Sequence, residues 1–139
     1  DHFIREQPDN LPQRAVLLVQ KEVAEKLCAA PPRMNVLALH VQFFGTPKII
    51  AKVSKNNFRP RPKVDSAIIR IDFPAKQKTE PAINYQKLFA LIHKAFSKKR
   101  KMLRATLPAE LLKKAGIDPT RRPETLSLEE WKLLGELFC

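Results

Sequence analysis

The sequence predicts an α/β part followed by a wholly helical part, with the boundary at residues 75/76. Three observations carry this expectation. Apolar runs with β-branched members recur at 15–19, 48–54 and 64–73, a pattern of strands. After residue 84 the apolar residues fall instead at i, i+3, i+4 and i+7, a pattern of helices. Between the two, Lys76, Gln77, Lys78, Thr79 and Glu80 show no apolar periodicity and stand between prolines, as a linker does. At 139 residues the chain can bury a core as one domain or two incomplete ones.

Residues 1–13 are polar, punctuated by Pro8 and Pro12, and read as an irregular lead-in. Ala-Val-Leu-Leu-Val at 15–19 is continuously apolar, which predicts a strand covered on both faces. From Gln20 the period becomes helical: Val23 with Leu27 and Ala24 with Cys28 share one side, Glu22 and Lys26 pair on the other, and Pro31 and Pro32 end the run. Asn35 can cap a helix over residues 36–44 closed by Gly45, although periodicity alone also admits a strand there. His40 has no Cys, Asp or Glu at ligand spacing and reads as a core or boundary histidine. In 64–73, Ala67, Ile69, Ile71 and Phe73 alternate with Ile68, Arg70 and Asp72, so 48–54 and 64–73 are expected to be antiparallel neighbours.

In the second half, Asn84 can cap a helix carrying Tyr85, Leu88, Phe89, Ile92, Ala95 and Phe96. Ser97 interrupts it, and Lys98, Lys99, Arg100 and Lys101 lead into a short helix with Met102, Leu103 and Leu107, with Arg104 extending the charge. Residues 108–115 offer another helix stopped by Gly116. Residues 118–123 form a rigid turn bearing Arg121 and Arg122. Ser127 and Glu130 make a capping box for a last helix expected to bury Trp131, Leu134 and Phe138.

Lys and Arg total 26 against 14 Asp and Glu, a net +12, which predicts attraction to polyanions that weakens with salt. Residues 76–122 hold thirteen of the cations and three acids, so the excess belongs mostly to the helical half. No apolar run approaches the ~20 residues of a membrane span, and the first residues lack the regions of a signal peptide. Cys28 and Cys139 have no metal-ligand spacing and read as reduced thiols, so the expected compartment is the cytoplasm, with no membrane partner and no metal. With 12 Pro, only 3 Gly and no Gly-x-Gly or Walker pattern, a nucleotide cofactor bound in a glycine-rich turn is not encoded. No nucleophile and base, and no carboxylate pair, stand at a defensible catalytic spacing.

Two stretches remain as binding candidates. Residues 58–66, Phe-Arg-Pro-Arg-Pro-Lys-Val-Asp-Ser, place Phe58 beside Arg59, Arg61 and Lys63 on a proline-stiffened loop, with no acid nearer than Asp65. Cations suit a phosphate and a flat ring suits a base; composition is also met by a proline-rich connection with solvated arginines and Phe58 tucked into the core. The run 98–104 opposes the helix dipole, so a phosphate partner accounts for it better than local helix stability does, while a solvated charged face remains the plain alternative.

The motifs of this chain resemble those of the ribosomal RNA adenine dimethyltransferases of the KsgA type. Phe-Arg-Pro-Arg-Pro-Lys-Val-Asp-Ser-Ala at 58–67 is similar to that family's Phe-x-Pro-x-Pro-x-Val-Asp-Ser-Ala loop. Residues 19–27 resemble the segment after its fifth strand, 95–104 its basic signature, and 116–127 its C-terminal turn. The resemblance implies the C-terminal part of a Rossmann-like methyltransferase sheet, three strands with the last antiparallel, followed by a small all-helical domain. On that mapping 15–19, 48–54 and 64–73 are the fifth, sixth and seventh strands.

The implied activity is methyl transfer from S-adenosylmethionine to N6 of two adjacent adenines of small-subunit ribosomal RNA, with a pre-30S-type particle as partner. Phe58 would stack on the flipped adenine. Arg59, Arg61, Lys63, Lys98, Lys99, Arg100, Lys101, Arg104, Arg121 and Arg122 would hold RNA. The family's cofactor loop, ribose-binding acid and Asn-Leu-Pro-aromatic motif would all lie before residue 15. Asn10-Leu11-Pro12 imitates the last of these, but Gln13 stands where the aromatic belongs. The expectation is therefore a target-RNA-binding half that binds no cofactor and is inactive alone, with self-association through the edge of strand 15–19. The alternatives are a non-enzymatic ribosome-assembly module of the same fold and a fragment of a large-subunit RNA resistance methyltransferase.

Overall fold

A computed structural model describes residues 12–74, 83–98 and 100–138. Asn10-Leu11, most of the expected linker, Lys99 and Cys139 lie outside the described residues. The chain divides into two compact units, residues 1–29 with 40–76, and residues 30–39 with 77–139. Residues 30–39 thus group with the helical half, a long-range association that local sequence pattern does not encode; the Met34 N–H donates to the Glu124 carbonyl at 3.0 Å.

The first unit holds a three-stranded sheet in the order β1 (Arg14–Gln20), β3 (Ser66–Asp72), β2 (Thr46–Val53). The central β3 is antiparallel to both neighbours, so β1 and β2 run the same way. The register shifts between Ile49 and Ala51, leaving Ile50 without a partner on β3. Pro47, which has no N–H to donate, sits on the edge strand β2, where a ladder bond is dispensable. The alternation expected for the third strand holds: Ala67, Ile69 and Ile71 are buried and the residues between them half-buried.

Helix α1 (Lys21–Leu27) covers one face of the sheet. Leu27 joins Val41, Ile69 and Ile71 in a buried cluster against which Ala15, Val19, Val23, Cys28 and Phe73 pack. Burial raises the Cys28 thiol above its ordinary pKa. The opposite pair Lys26 and Glu22 stands at 3.5 Å on the solvent side, as the i,i+4 spacing requires.

Residues 15–19 depart from expectation. The strand forms, but Val16 is 60 %, Leu17 46 % and Leu18 54 % exposed. The continuous apolar run calls for a layer on each face and a strand on each edge. Among the described residues, β1 has a single strand neighbour and a helix on one side only.

Helix α2 (Val36–Gln42) begins where Asn35 Oδ1 accepts the Ala38 N–H at 2.8 Å, which settles the helix-or-strand ambiguity. It ends at Gln42, short of Phe43 and Phe44, and His40 within it is buried. Gly45 does not act as a left-handed cap, since the one positive-φ residue described is Gly116. Gly45 is needed for space: a Cβ there would lie 2.9 Å from Ile71 Cγ2, 2.9 Å from Phe73 Cδ1 and 3.0 Å from the Asp72 carbonyl oxygen.

The second unit is helical. In α3 (Tyr85–Phe96), Asn84 Oδ1 accepts the Lys87 N–H at 3.2 Å, as a cap should, and Leu88, Phe89, Leu91, Ile92 and Ala95 are buried. Ser97 closes the helix by donating its hydroxyl to the Lys94 carbonyl at 2.6 Å. Helix α4 (Ala109–Ala115) ends at Gly116, whose φ of 68° lets its N–H and that of Ile117 reach back to Lys113 and Leu112. Helix α5 (Leu128–Phe138) packs against both α3 and α4. Its Trp131 and Leu134 are fully buried, but Phe138 is 42 % exposed, because it falls in the last turn beyond the reach of the α3 contacts made by Gly135.

Candidate nucleic-acid interfaces

The loop of residues 58–66 follows a single 3-10 turn, Lys55–Asn57, in which Ser54 Oγ accepts the Asn56 N–H at 3.2 Å. Asp65 fixes its far end. The Asp65 carboxylate accepts the Lys55 N–H at 2.9 Å, and its carbonyl accepts the Lys21 N–H at 3.0 Å, so both sides of the loop are tied to the start of α1. Val64 and Asp65 are therefore loop residues and not the first residues of a strand. The Asp65 carboxylate is thereby bonded to a backbone donor, and among the described residues no ion pair joins it to Arg59, Arg61 or Lys63. Arg59, Arg61 and Lys63 are exposed, and none forms an ion pair among the described residues. Phe58 is half-buried, between the two extremes its composition allowed, with extended backbone (φ −113°, ψ 147°).

The expected short helix at the basic run is smaller than the sequence suggests. The Lys101 N–H donates to the Lys98 carbonyl at 2.8 Å, and among the described residues of the run only Leu103–Ala105 make a 3-10 turn. Four like charges in sequence resist winding into one helix turn, and buried Leu103 supplies the anchor instead. Lys98, Arg100, Lys101 and Arg104 are exposed. The Leu103 N–H donates to the Arg121 carbonyl at 2.7 Å and the Arg104 N–H to the Pro119 carbonyl at 3.0 Å, so the basic turn is stitched to the 118–123 turn.

In that second turn, Asp118 accepts both the N–H and the hydroxyl of Thr120, at 2.9 and 2.7 Å. The Thr120 N–H holds the Asp118 carboxyl below its ordinary pKa. Arg122 is exposed. Arg121 is not: its guanidinium meets both oxygens of Glu130, at 2.5 and 3.1 Å, and the Thr125 carbonyl at 2.7 Å. Glu130 also completes the capping box, accepting the Ser127 N–H at 3.0 Å while Ser127 Oγ accepts its own N–H at 3.1 Å. The Arg121 hydrogen bond holds the Glu130 carboxyl below the usual glutamate range.

Thus Arg59, Arg61 and Lys63 with Phe58 stand on the first unit, and Lys98, Arg100, Lys101, Arg104 and Arg122 on the second, with Arg121 turned inward as a strut. Sequence reading overlooked Lys87 and Lys94. Both are exposed, seven residues apart on one face of α3, a helix with no acid in it. The i,i+7 spacing was the available signal.

The ribosomal RNA adenine dimethylase family model matches residues 2–137. The chain belongs to that family. Two curated relatives named ribosomal RNA small subunit methyltransferase A illustrate the likeness. That of Dehalococcoides mccartyi strain 195 is 38 % identical over 133 residues, covering 88 % of this chain and 45 % of the relative. That of Acidothermus cellulolyticus is 37 % identical over 134 residues, covering 88 % and 46 %. The chain spans about half the length of the curated relatives it matches.

Among solved structures, a dimethyladenosine transferase from Plasmodium falciparum superposes with a TM-score of 0.78 at 22 % identity, over 95 % of this chain and 59 % of that one. The 23S rRNA methyltransferase ErmE superposes at 0.64 with 24 % identity, over 90 % and 54 %. Both share the dimethylase fold seen here.

The open depression beside the loop is lined by Lys21, Glu22, Glu25, Lys55, Lys63, Val64 and Asp65, all charged but one. Among the described residues no three of His, Cys, Asp and Glu gather as a metal site, and no helix is long and apolar enough to cross a membrane.

Proposed function

We propose that this chain is the target-RNA-binding half of an rRNA adenine N6,N6-dimethyltransferase acting on small-subunit ribosomal RNA in the cytoplasm, and that it is inactive alone. The observation that carries the reading is the loop: three exposed cations without acid partners beside Phe58, on a backbone pinned at both ends by Asp65. A rigid loop loses little entropy on binding, so its cations can grip phosphates while Phe58 offers a ring face to an unstacked adenine. Lys98, Arg100, Lys101, Arg104 and Arg122, with Lys87 and Lys94, supply a second set of backbone contacts, and Lys99 completes that set by its place in the run.

The curated relatives named as small-subunit enzymes, at 37–40 % identity, favour small-subunit over large-subunit RNA. On this reading S-adenosylmethionine is held by residues outside this chain. The exposed apolar β1 edge supports self-association of the chain when it is studied by itself.

The test is a paired measurement on the 139 residues. Binding to a small-subunit rRNA hairpin should be strong at low salt and fall steeply as salt rises. Labelled S-adenosylmethionine should give no methyl transfer. Salt-independent binding would overturn the RNA-binding assignment, and turnover by the chain alone would overturn its inactivity.

A further inference from the structure

We propose that Glu130 is a positioning residue for RNA binding, acting through Arg121 to hold the basic turn of residues 98–104. This rests on the RNA-binding reading above. The second-unit cations differ from those of the loop in how they are held. No acid lies in the run 98–104, and one 3-10 turn is too short to hold itself against four repelling charges. Besides the buried Leu103 side chain, its attachments are the Leu103 N–H on the Arg121 carbonyl and the Arg104 N–H on the Pro119 carbonyl.

The Arg121 segment is in turn fixed by its side chain. The guanidinium is a planar fork, and Glu130 meets it with both carboxylate oxygens while the Thr125 carbonyl takes a further N–H. Glu130 itself is locked in the first turn of α5 by the reciprocal bonds with Ser127. An unbroken series of hydrogen bonds therefore runs from the rigid helix α5 to the backbone that displays Lys98, Arg100, Lys101 and Arg104. Arg121 contributes geometry in place of free charge, and its neighbour Arg122 keeps the free charge.

The experiment exploits a difference in sign. By net charge alone, Glu130→Gln removes an acid from a basic protein and should tighten RNA binding. By positioning, it should weaken binding roughly three- to tenfold, the range that loss of one charge-assisted hydrogen bond covers when water partly replaces it. Affinity for the rRNA hairpin is measured at a temperature where circular dichroism shows the variant folded, beside Glu129→Gln, an exposed acid one residue away. Amide exchange at Leu103 and Arg104 is read in parallel.

The expected result is weaker RNA binding and faster exchange at both amides in E130Q, with E129Q binding as tightly as the unaltered chain or tighter. Equal or tighter binding by E130Q would overturn the positioning role alone, as would weaker binding with unchanged exchange at Leu103 and Arg104. Absence of RNA binding by the unaltered chain would overturn the RNA-binding reading and this inference with it. Should E130Q fail to fold, Glu130→Asp retains the charge, shortens the reach by one methylene, and is read at the same amides.

Discussion

Neutralising Arg59, Arg61 and Lys63 together, each to Gln, isolates the loop's part in RNA binding. The three side chains are exposed and have no ion-pair partner among the described residues, so each is free to displace a counterion from a phosphate. One such contact changes the slope of log K against log salt by about 0.7 on a single strand and about 0.9 on a duplex, hence by roughly 2 to 3 for all three. Over a rise from about 50 to about 200 mM salt, the triple variant should lose about 20- to 40-fold less affinity than the unaltered chain. The assay is a fluorescence-anisotropy titration of the rRNA hairpin at four salt concentrations. Arg14→Gln is the control: it removes one charge from the same unit, but from a guanidinium whose Nε lies 2.7 Å from Asp72 Oδ1. Its slope should change by less than that of Arg61→Gln alone. An unchanged slope in the triple variant, or an equal change in Arg14→Gln, would show that the loop cations do not touch phosphate and that only net charge counts.

Two glycine substitutions should destabilise for different reasons. Gly45→Ala forces a Cβ against Ile71, Phe73 and a backbone carbonyl, costing about 1–3 kcal/mol by chemical denaturation. Gly116→Ala meets nothing within 4 Å but imposes a left-handed backbone on alanine, costing about 1–2 kcal/mol, and only there should Asn recover part of the loss. Acid should weaken the second unit through Glu130. Its folded pKa is depressed by Arg121, so its contribution is full above the ordinary glutamate value and is lost as pH falls through the lower folded one; urea midpoints across that window should fall less in Glu130→Gln. Val16→Lys, placed on the exposed edge strand, should lower the apparent mass in light scattering if β1 pairs between chains, and an unchanged mass would rule that pairing out.

What could be read from the sequence follows the range of the interaction concerned. The Asn35 and Asn84 caps, the Ser127–Glu130 box and the Gly116 stop are set within four residues, and each forms as its local pattern demands. The alternation of β3 was equally legible, because one buried face imposes a period of two. Misreadings arose where a distant partner decides. The run 15–19 has the composition of a strand enclosed on both sides, yet enclosure depends on layers that residues 15–19 do not specify.

Gly45 closes α2 through its N–H, which reaches the Val41 carbonyl at 2.9 Å, but its need for glycine comes from a close approach by Ile71 and Phe73, more than twenty residues away in sequence, which leaves no local mark. Arg121 and Arg122 make the point most sharply. They are adjacent, of one residue type and inside one matched motif, and both were expected to grip RNA. Which of them turns inward is decided by Glu130, nine residues on, and it meets Arg121 only because the Asp118 turn and the α5 capping box fix both backbones first. A basic motif therefore sets how many cations a surface can offer, while the acids folded behind it set which of them remain free for phosphate.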